Sequence, residues 1–163
     1  MEQLWAPWRI RYIQKDLKKK KGCIFCRAYR SKKDKDNFLI LRTPHVLAIL
    51  NIFPYNNGHL MVAPKRHIGD LEKLSVEESL ELVKVVKSMI SILKKVLKPD
   101  GFNIGMNIGK SAGAGIEKHL HIHIVPRWIG DTNFMPVCSN SKVISQSLNE
   151  LYFKLKRCLQ EKR

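Results

Sequence analysis

One heptapeptide constrains the fold of this 163-residue chain more than any other, His119-Leu120-His121-Ile122-His123-Ile124-Val125. Imidazole and aliphatic side chains alternate along it, and successive side chains of a β-strand point to opposite faces. We therefore expect the three histidines to share one face of a strand while Leu120, Ile122 and Ile124 enter the core. Surface histidines on a half-exposed strand are the alternative, but three of the six histidines at a period of two favour a reaction centre.

The stretch before these histidines is rich in glycine, Asn107-Ile-Gly-Lys-Ser-Ala-Gly-Ala-Gly115. Glycine adopts positive φ at little cost, and such conformations turn backbone N–H groups toward an anion. A flexible connection has the same composition. Its position directly before three histidines favours a phosphate cradle.

Upstream of this loop, short apolar runs predict three strands, at Phe38–Leu41, His45–Leu50 and His59–Ala63. The first two are joined by a turn at Arg42-Thr43-Pro44, and Pro54 to Gly58 form a turn before the third.

A long helix should follow, because Ser75 stands three residues before Glu78 in a capping-box pattern, and Pro99 and Gly101 stop the helix after about Leu97. Its predicted apolar stripe is Leu82, Val83, Val86, Met89, Ile90, Leu93 and Leu97.

Two further strands are predicted at Phe102–Asn107 and Leu120–Val125, and a last helix from about Lys142 to Cys158. Its apolar positions are Ile144, Leu148, Leu151, Leu155 and Leu159. The element order predicts an α+β fold, with an antiparallel sheet of about five strands covered by a long helix and followed by a C-terminal helix.

The composition is that of a globular protein, with 44% hydrophobic and 27% charged residues. We expect a single domain over residues 1–163, with a basic N-terminal segment at 1–36 and a C-terminal helical extension at 138–163. Because the sequence has no apolar run near the ~20 residues of a membrane span and no secretory signal at its start, we expect a cytoplasmic protein.

The net charge of +16 favours an anionic ligand, which could be a nucleic acid, a membrane surface or a polyphosphate. Ten Lys or Arg residues lie between Lys15 and Lys35. A solvated, mobile basic segment is favoured there over a nucleic-acid patch, because Phe25 and Tyr29 are too few for a base-stacking platform.

Four cysteines are too few for a disulfide scaffold. Cys23 and Cys26 have the two-residue gap that suits a metal or a redox pair, whereas Cys138 and Cys158 are expected to be small buried hydrophobes.

With these motifs in place, the chain closely resembles the histidine-triad (HIT) superfamily, whose signature alternates three histidines with hydrophobic residues. Within it, the resemblance is to the bacterial diadenosine-polyphosphate phosphorylase branch and covers about Leu4 to Val137. It is carried by Leu4-Trp-Ala-Pro-Trp-Arg9, Asn51-Ile-Phe-Pro54, Gly58-His-Leu-Met-Val62, Lys65-Arg-His67 and Pro126-Arg-Trp-Ile-Gly-Asp-Thr-Asn-Phe134.

The resemblance implies a residue-by-residue site. His121 falls at the position of the nucleophile that attacks the α-phosphate, and His123 and His59 at positions that contact the phosphate oxygens. The implied nucleotide contacts are Asn51 at the ribose and, at the phosphates, Asn107, Lys110, Ser111, Gly113, Ala114 and Gly115.

The resemblance also implies a structural Zn²⁺ held by Cys23, Cys26, His67 and His119, the alternative being a pair of reduced thiols in a mobile arm. It further implies a homodimer.

One departure concerns the acceptor. Where several eukaryotic relatives carry Gln or Ser, four residues before the first triad histidine, this chain has Gly115. This chain therefore lacks the side chain used in their route to hydrolysis, and inorganic phosphate becomes the expected acceptor.

The expected function is phosphorolysis of diadenosine tetraphosphate to ATP and ADP. The alternatives are a hydrolase of dinucleoside polyphosphates or nucleoside phosphoramidates and, from another class, a basic zinc-containing nucleic-acid-binding module. The intact triad argues against the last alternative, because binding alone does not require three aligned imidazoles.

Overall fold

A single antiparallel sheet organises the computed structural model, which describes residues 22–31, 33–139 and 143–161. Its five strands run in the order β1-β2-β3-β5-β4. They are β1 (Leu39–Arg42), β2 (Val46–Leu50), β3 (Leu60–Pro64), β4 (Gly101–Met106) and β5 (Ile122–Arg127). The helices are α1 (Ile24–Arg30), α2 (Val76–Leu97), α3 (Met135–Ser139) and α4 (Leu148–Gln160), with a 3₁₀ turn at Leu71–Lys73. The predicted α+β class and five-stranded sheet are confirmed.

The central strands β2 and β3 are buried on both faces. Alternate residues of β2 and β3 contribute to a main core under α2 and α4, which includes Ile40, Leu50, Leu60, Met89 and Leu155. The residues between them face a smaller cluster closed by α1, here called the α1-side cluster, which consists of Phe25, Ala28, Leu39, Leu47, Ile49, Met61 and Ala63. The side-chain period of two therefore gives the sheet two apolar layers.

Helix α2 begins as predicted. The Ser75 hydroxyl accepts a hydrogen bond from the Glu78 N–H at 3.2 Å, and the Glu78 carboxylate accepts one from the Ser75 N–H at 2.9 Å. The predicted stripe was wrong at Val83, which is 56% exposed, whereas Val85 and Ile92 are buried. Val83 lies about 100° around the helix from the buried Leu82, so the predicted stripe was too wide on this side.

The last helix starts later than predicted. Ser147 caps α4, its hydroxyl accepting from the Glu150 N–H at 3.2 Å, and residues 143–147 are not helical. The expected start at Lys142 was therefore wrong, and Lys142 itself lies outside the described residues. The short helix α3 was not predicted.

The basic N-terminal segment is partly described. Where a mobile arm was favoured, residues 24–30 form α1, and Phe25 is fully buried against the sheet. The Leu4–Arg9 motif and the lysine run Lys18–Lys21 lie outside the described residues. Within the described part of the chain, no helix is both long enough and apolar enough to cross a bilayer.

Candidate active site and metal-binding cluster

The three histidines lie on the face of the sheet that α1 covers. His119 is fully buried and His121 is 5% exposed, and both rings contact Phe25 of α1, with centroids 4.9 and 5.0 Å away. Leu120 is buried, and Ile124 lies in the main core as predicted. β5 begins two residues later than expected, because the Leu120 N–H donates to the Ile68 carbonyl rather than to β3.

The protonation pattern of His121 follows from one hydrogen bond. Its Nδ1 lies 2.8 Å from the carbonyl oxygen of His119, and a carbonyl only accepts, so Nδ1 carries the ring hydrogen. Burial lowers the pKa of His121, although the hydrogen bond to His119 opposes this shift. The ring is therefore neutral at pH 7, and the lone pair lies on Nε2, where it can attack an electrophile.

His59 and His123 form a directed hydrogen-bonded pair. The Tyr55 N–H donates to Nδ1 of His59 at 3.1 Å, which places the His59 hydrogen on Nε2. That Nε2 lies 2.9 Å from Nδ1 of His123, so His59 donates and the hydrogen of His123 is placed on its own Nε2. Burial, reinforced by His123 and His121, lowers the pKa of His59 to about 3. A neutral His59 thus presents His123 as an N–H donor, the type of group that stabilises phosphoryl oxygens.

Asn51 lies beside this pair. Its Nδ2 is 3.3 Å from Nδ1 of His59, and its Oδ1 accepts from the Phe53 N–H at 2.9 Å. The structure therefore gives Asn51 contacts that orient His59, while its ribose contact stays a prediction. Sequence reasoning missed the Tyr55 N–H because backbone donors leave no residue-type signal.

The glycine-rich loop joins β4 to His119. Gly109 and Gly113 have φ of 79° and 82°, as expected for residues that let a backbone turn around an anion. The loop is closed by bonds from Gly113 N–H to the Lys110 carbonyl at 3.0 Å and from Ala114 N–H to the Gly109 carbonyl at 3.3 Å. Asn107 is half-buried, and Lys110, Ser111 and Gly115 are exposed. The phosphate contacts of these residues remain predictions.

A turn after β5 is fixed to the segment that leads into His59. Oδ2 of Asp131 accepts from Asn56 Nδ2 at 2.8 Å, from the Trp128 N–H at 3.1 Å and from Arg127 Nε at 2.6 Å. Asn56 also donates to the Pro126 carbonyl at 3.1 Å. These contacts give the Pro126–Phe134 motif a structural role.

Four predicted metal ligands come together below the triad. Their ligand atoms all lie within 4.8 Å of one another, and they belong to Cys23, Cys26, His67 and His119. Nδ1 of His119 is 3.2 Å from Sγ of Cys23, 3.6 Å from Sγ of Cys26 and 3.2 Å from Nδ1 of His67. A tetrahedral Zn²⁺ with ordinary bond lengths separates two nitrogens by about 3.4 Å and a nitrogen from a sulfur by about 3.6 Å. The four residues therefore fit a zinc ion.

The orientation of His119 supports the same assignment. Its Nε2 lies 2.8 Å from the Pro64 carbonyl, so Nε2 carries the hydrogen and Nδ1 turns its lone pair toward the thiols. Burial lowers the pKa of His119 to about 4, with the Pro64 contact opposing the shift. Burial also raises the pKa of the Cys23 thiol, and a bound cation would favour its thiolate. The donor set suits a closed structural site.

The comparisons with known proteins agree with this geometry. The family model described as "HIT domain" matches residues 32–128. An AP-4-A phosphorylase of Mycobacterium tuberculosis is 39% identical over 156 residues, which cover 92% of this chain and 80% of that protein. The adenosine 5′-monophosphoramidase hnt1 of Schizosaccharomyces pombe is 32% identical over 106 residues, covering 65% and 74% of the two chains.

Among solved structures, a zinc-bound histidine triad family protein from Mycobacterium smegmatis matches with a TM-score of 0.66 and 27% identity, covering 86% of this chain and 94% of that one. The chain belongs to the HIT domain family. It is a nucleotide-processing enzyme of that family.

Proposed function

We propose that this enzyme cleaves diadenosine polyphosphates by phosphorolysis, with diadenosine tetraphosphate as the preferred class of substrate. The proposal depends most on one observation, the neutral imidazole of His121 whose hydrogen is held on Nδ1 by the His119 carbonyl. The similarity to the mycobacterial AP-4-A phosphorylase supports the choice of substrate.

In the first half-reaction, Nε2 of His121 forms a bond to the α-phosphorus of one adenosine. The P–O bond to the rest of the substrate breaks, and ATP leaves with the bonding electron pair. Negative charge moves to the phosphoryl oxygens during this displacement, and the Nε2–H of His123 is the donor for it. His59 donates a hydrogen bond to Nδ1 of His123 and so orients that donor, and the Tyr55 N–H fixes the orientation of His59.

In the second half-reaction, an oxygen of inorganic phosphate attacks the same phosphorus. The P–N bond breaks, the electron pair returns to Nε2 of His121, and ADP is released. The net charge of +16 attracts an anionic acceptor and gives no advantage to water. Gly115 has no side chain with which to orient a water molecule, which favours phosphate further.

Zn²⁺ would be held by Cys23, Cys26, His67 and His119, and it would supply structural cross-linking rather than water activation. No chemical step requires it. When bound, it would fix α1 and His119 against the sheet, next to the contacts that orient His121.

The enzyme is also proposed to be a homodimer that pairs through β4. This strand lies at the edge of the sheet, contains no charged residue, and exposes Ile104 and Met106 by 48% and 37%. An uncharged edge with exposed apolar side chains is otherwise an aggregation hazard. Light scattering should give twice the chain mass for the wild type and the chain mass for Ile104→Lys; a monomeric wild type would refute this part.

The products of diadenosine tetraphosphate test the proposed reaction. Chromatography should show ATP and ADP, with a rate that rises when phosphate is added. ATP and AMP at a rate indifferent to phosphate would make the protein a hydrolase and leave the role of His121 intact. Turnover of nucleoside phosphoramidates in preference to dinucleotides would favour an activity like that of the fission-yeast relative.

A further inference from the structure

Phe25 lies between the two cysteines of the metal-binding cluster, in the first turn of α1. Its side chain is fully buried, and its ring contacts two triad histidines. The ring centroid is 4.9 Å from that of His119 and 5.0 Å from that of His121, with tilts of 45° and 42°. An aromatic residue of the N-terminal segment thus packs against the ring of His121, the proposed nucleophile.

The Nδ1 hydrogen bond alone does not fix the orientation of the His121 ring. The 2.8 Å contact to the His119 carbonyl fixes Nδ1, but the χ2 torsion of histidine has a broad energy profile. Rotation about the hydrogen-bond axis would move Nε2 out of line with phosphorus. A group packed on the ring face is needed to restrict that rotation, and Phe25 packs there together with His123, whose centroid is 4.8 Å away.

The helix that carries Phe25 is held in place by contacts at its C-terminal end. The Arg42 guanidinium, from β1, donates to the carbonyls of Tyr29 at 2.5 Å, Ala28 at 2.9 Å and Ser31 at 2.6 Å. It also pairs with Asp34 at 2.6 Å. Three carbonyls at a helix C-terminus bound by one guanidinium fix the helix against the sheet. The metal-binding cluster anchors the other end of α1.

We propose that Phe25 is a positioning residue for the nucleotidyl-transfer reaction, setting the ring angle of His121, and that Arg42 acts through α1 to hold it there. The inference rests on the proposed role of His121 as nucleophile. It gives the two-residue gap of Cys23-Ile24-Phe25-Cys26 a second role, because the gap carries the ring that packs on His121.

The test compares Phe25→Leu with Leu39→Val, a substitution of a buried residue in the same α1-side cluster that lies on β1, at the edge of the sheet away from β5. With saturating zinc and diadenosine tetraphosphate, Phe25→Leu should lower kcat by about 10- to 100-fold, the scale of a small misplacement of reacting groups, with KM within about twofold. Leu39→Val should leave both constants within about twofold, because β2 and β3 lie between its strand and β5. Equal losses in the two variants, or a wild-type kcat in Phe25→Leu, would overturn the proposal.

Arg42→Lys provides a second variant that leaves Phe25 and the metal-binding cluster unchanged. Lysine keeps the charge but lacks the planar guanidinium that donates to several carbonyls at once. The helix α1 should therefore be held less firmly against β1, and kcat should fall with little change in KM. A wild-type kcat in this variant would remove Arg42 from the proposal, and it decides the question if Phe25→Leu does not fold.

A measurement without turnover separates this inference from the proposed function. The Nδ1 proton of His121 should exchange slowly with water in ¹⁵N-detected spectra of the wild type, and faster in Phe25→Leu but not in Leu39→Val. Equal exchange in all three proteins would refute the positioning role even if the enzyme is a phosphorylase. Absence of any dinucleotide cleavage together with this exchange pattern would refute the proposed function alone.

Discussion

Gly58 offers a sharp test of how the fold places His59. Its φ is +78°, and a Cβ added there would lie 2.4 Å from Cδ1 of Leu97, 3.1 Å from Cγ of Pro126 and 3.3 Å from Cδ2 of Leu93. Gly58→Ala therefore combines an unfavourable backbone conformation with a steric clash against the end of α2. His59 is the next residue, so any backbone movement that relieves the clash also shifts His59.

The expected cost has two parts. The left-handed conformation costs about 1–2 kcal/mol for a residue with a Cβ. Overpacking costs about 1–3 kcal/mol, and the lower half applies because the nearest atom ends a flexible leucine side chain. The free energy of unfolding should thus fall by about 2–4 kcal/mol, which corresponds to a fall in Tm of about 5–12 °C for a chain of this size.

Calorimetry of Gly58→Ala, with Gly130→Ala as control, measures this cost. Gly130 has a similar φ of +76°, but a Cβ there meets nothing within 4 Å, so the control should lose only the backbone part, about 1–2 kcal/mol. Adding Leu97→Ala to Gly58→Ala removes the closest of these contacts but not the backbone strain. The clash can be read from a double-mutant cycle, in which the two losses should be less than additive. A Tm for Gly58→Ala equal to that of the wild type would refute the reasoning.

Other predictions concern the site. His121→Gly should fold normally yet lose turnover by several orders of magnitude, because the nucleophile is absent; comparable activity would exclude the mechanism. Purified wild type should contain about one zinc per chain, and Cys23→Ser should lower both metal content and Tm. Metal-free protein of unchanged stability would show that the four residues are not zinc ligands. Burial lowers the pKa of His59 to about 3, so the unfolded chain binds more protons as pH falls below 6.5, and stability should decline from there toward pH 3. Urea unfolding should show a weaker decline in His59→Gln; equal declines would assign the effect elsewhere. Because the pKa of His121 is lowered in the free enzyme, the acid limb of kcat/KM should lie below pH 6.5, and a limb above this value would contradict a neutral nucleophile.

Much of the fold could be predicted because period and capping are local signals. The apolar run of β2 and the Ser75–Glu78 capping box depend on neighbouring residues only. The start of α4 was misplaced because Lys142 and Ser147 both precede apolar residues at helical spacing, and only the Ser147 cap decides between them. The burial of α1 was missed because the local sequence is strongly basic, whereas Phe25 is buried by residues far along the chain.

The sequence pattern predicted which histidines lie together, but not the directions of their hydrogen bonds. The alternation around His121 predicted a shared face for the three histidines, whereas the location of each ring hydrogen depends on the carbonyls of His119 and Pro64 and on the Tyr55 N–H. Backbone groups carry no sequence signal. No sequence signal pointed to Arg42 either, because its three carbonyl partners become its neighbours only when α1 packs against β1.

The central claim is covalent nucleotidyl transfer through His121, and the stereochemical course at phosphorus tests it most directly. A dinucleotide with a chiral phosphorothioate at the α-position would be cleaved with phosphate as acceptor, and the configuration of the thio-ADP product determined. Each in-line displacement inverts phosphorus, so two successive displacements through His121 predict overall retention. Inversion would mean that phosphate attacks the substrate directly, and would contradict a nucleotidyl-His121 intermediate.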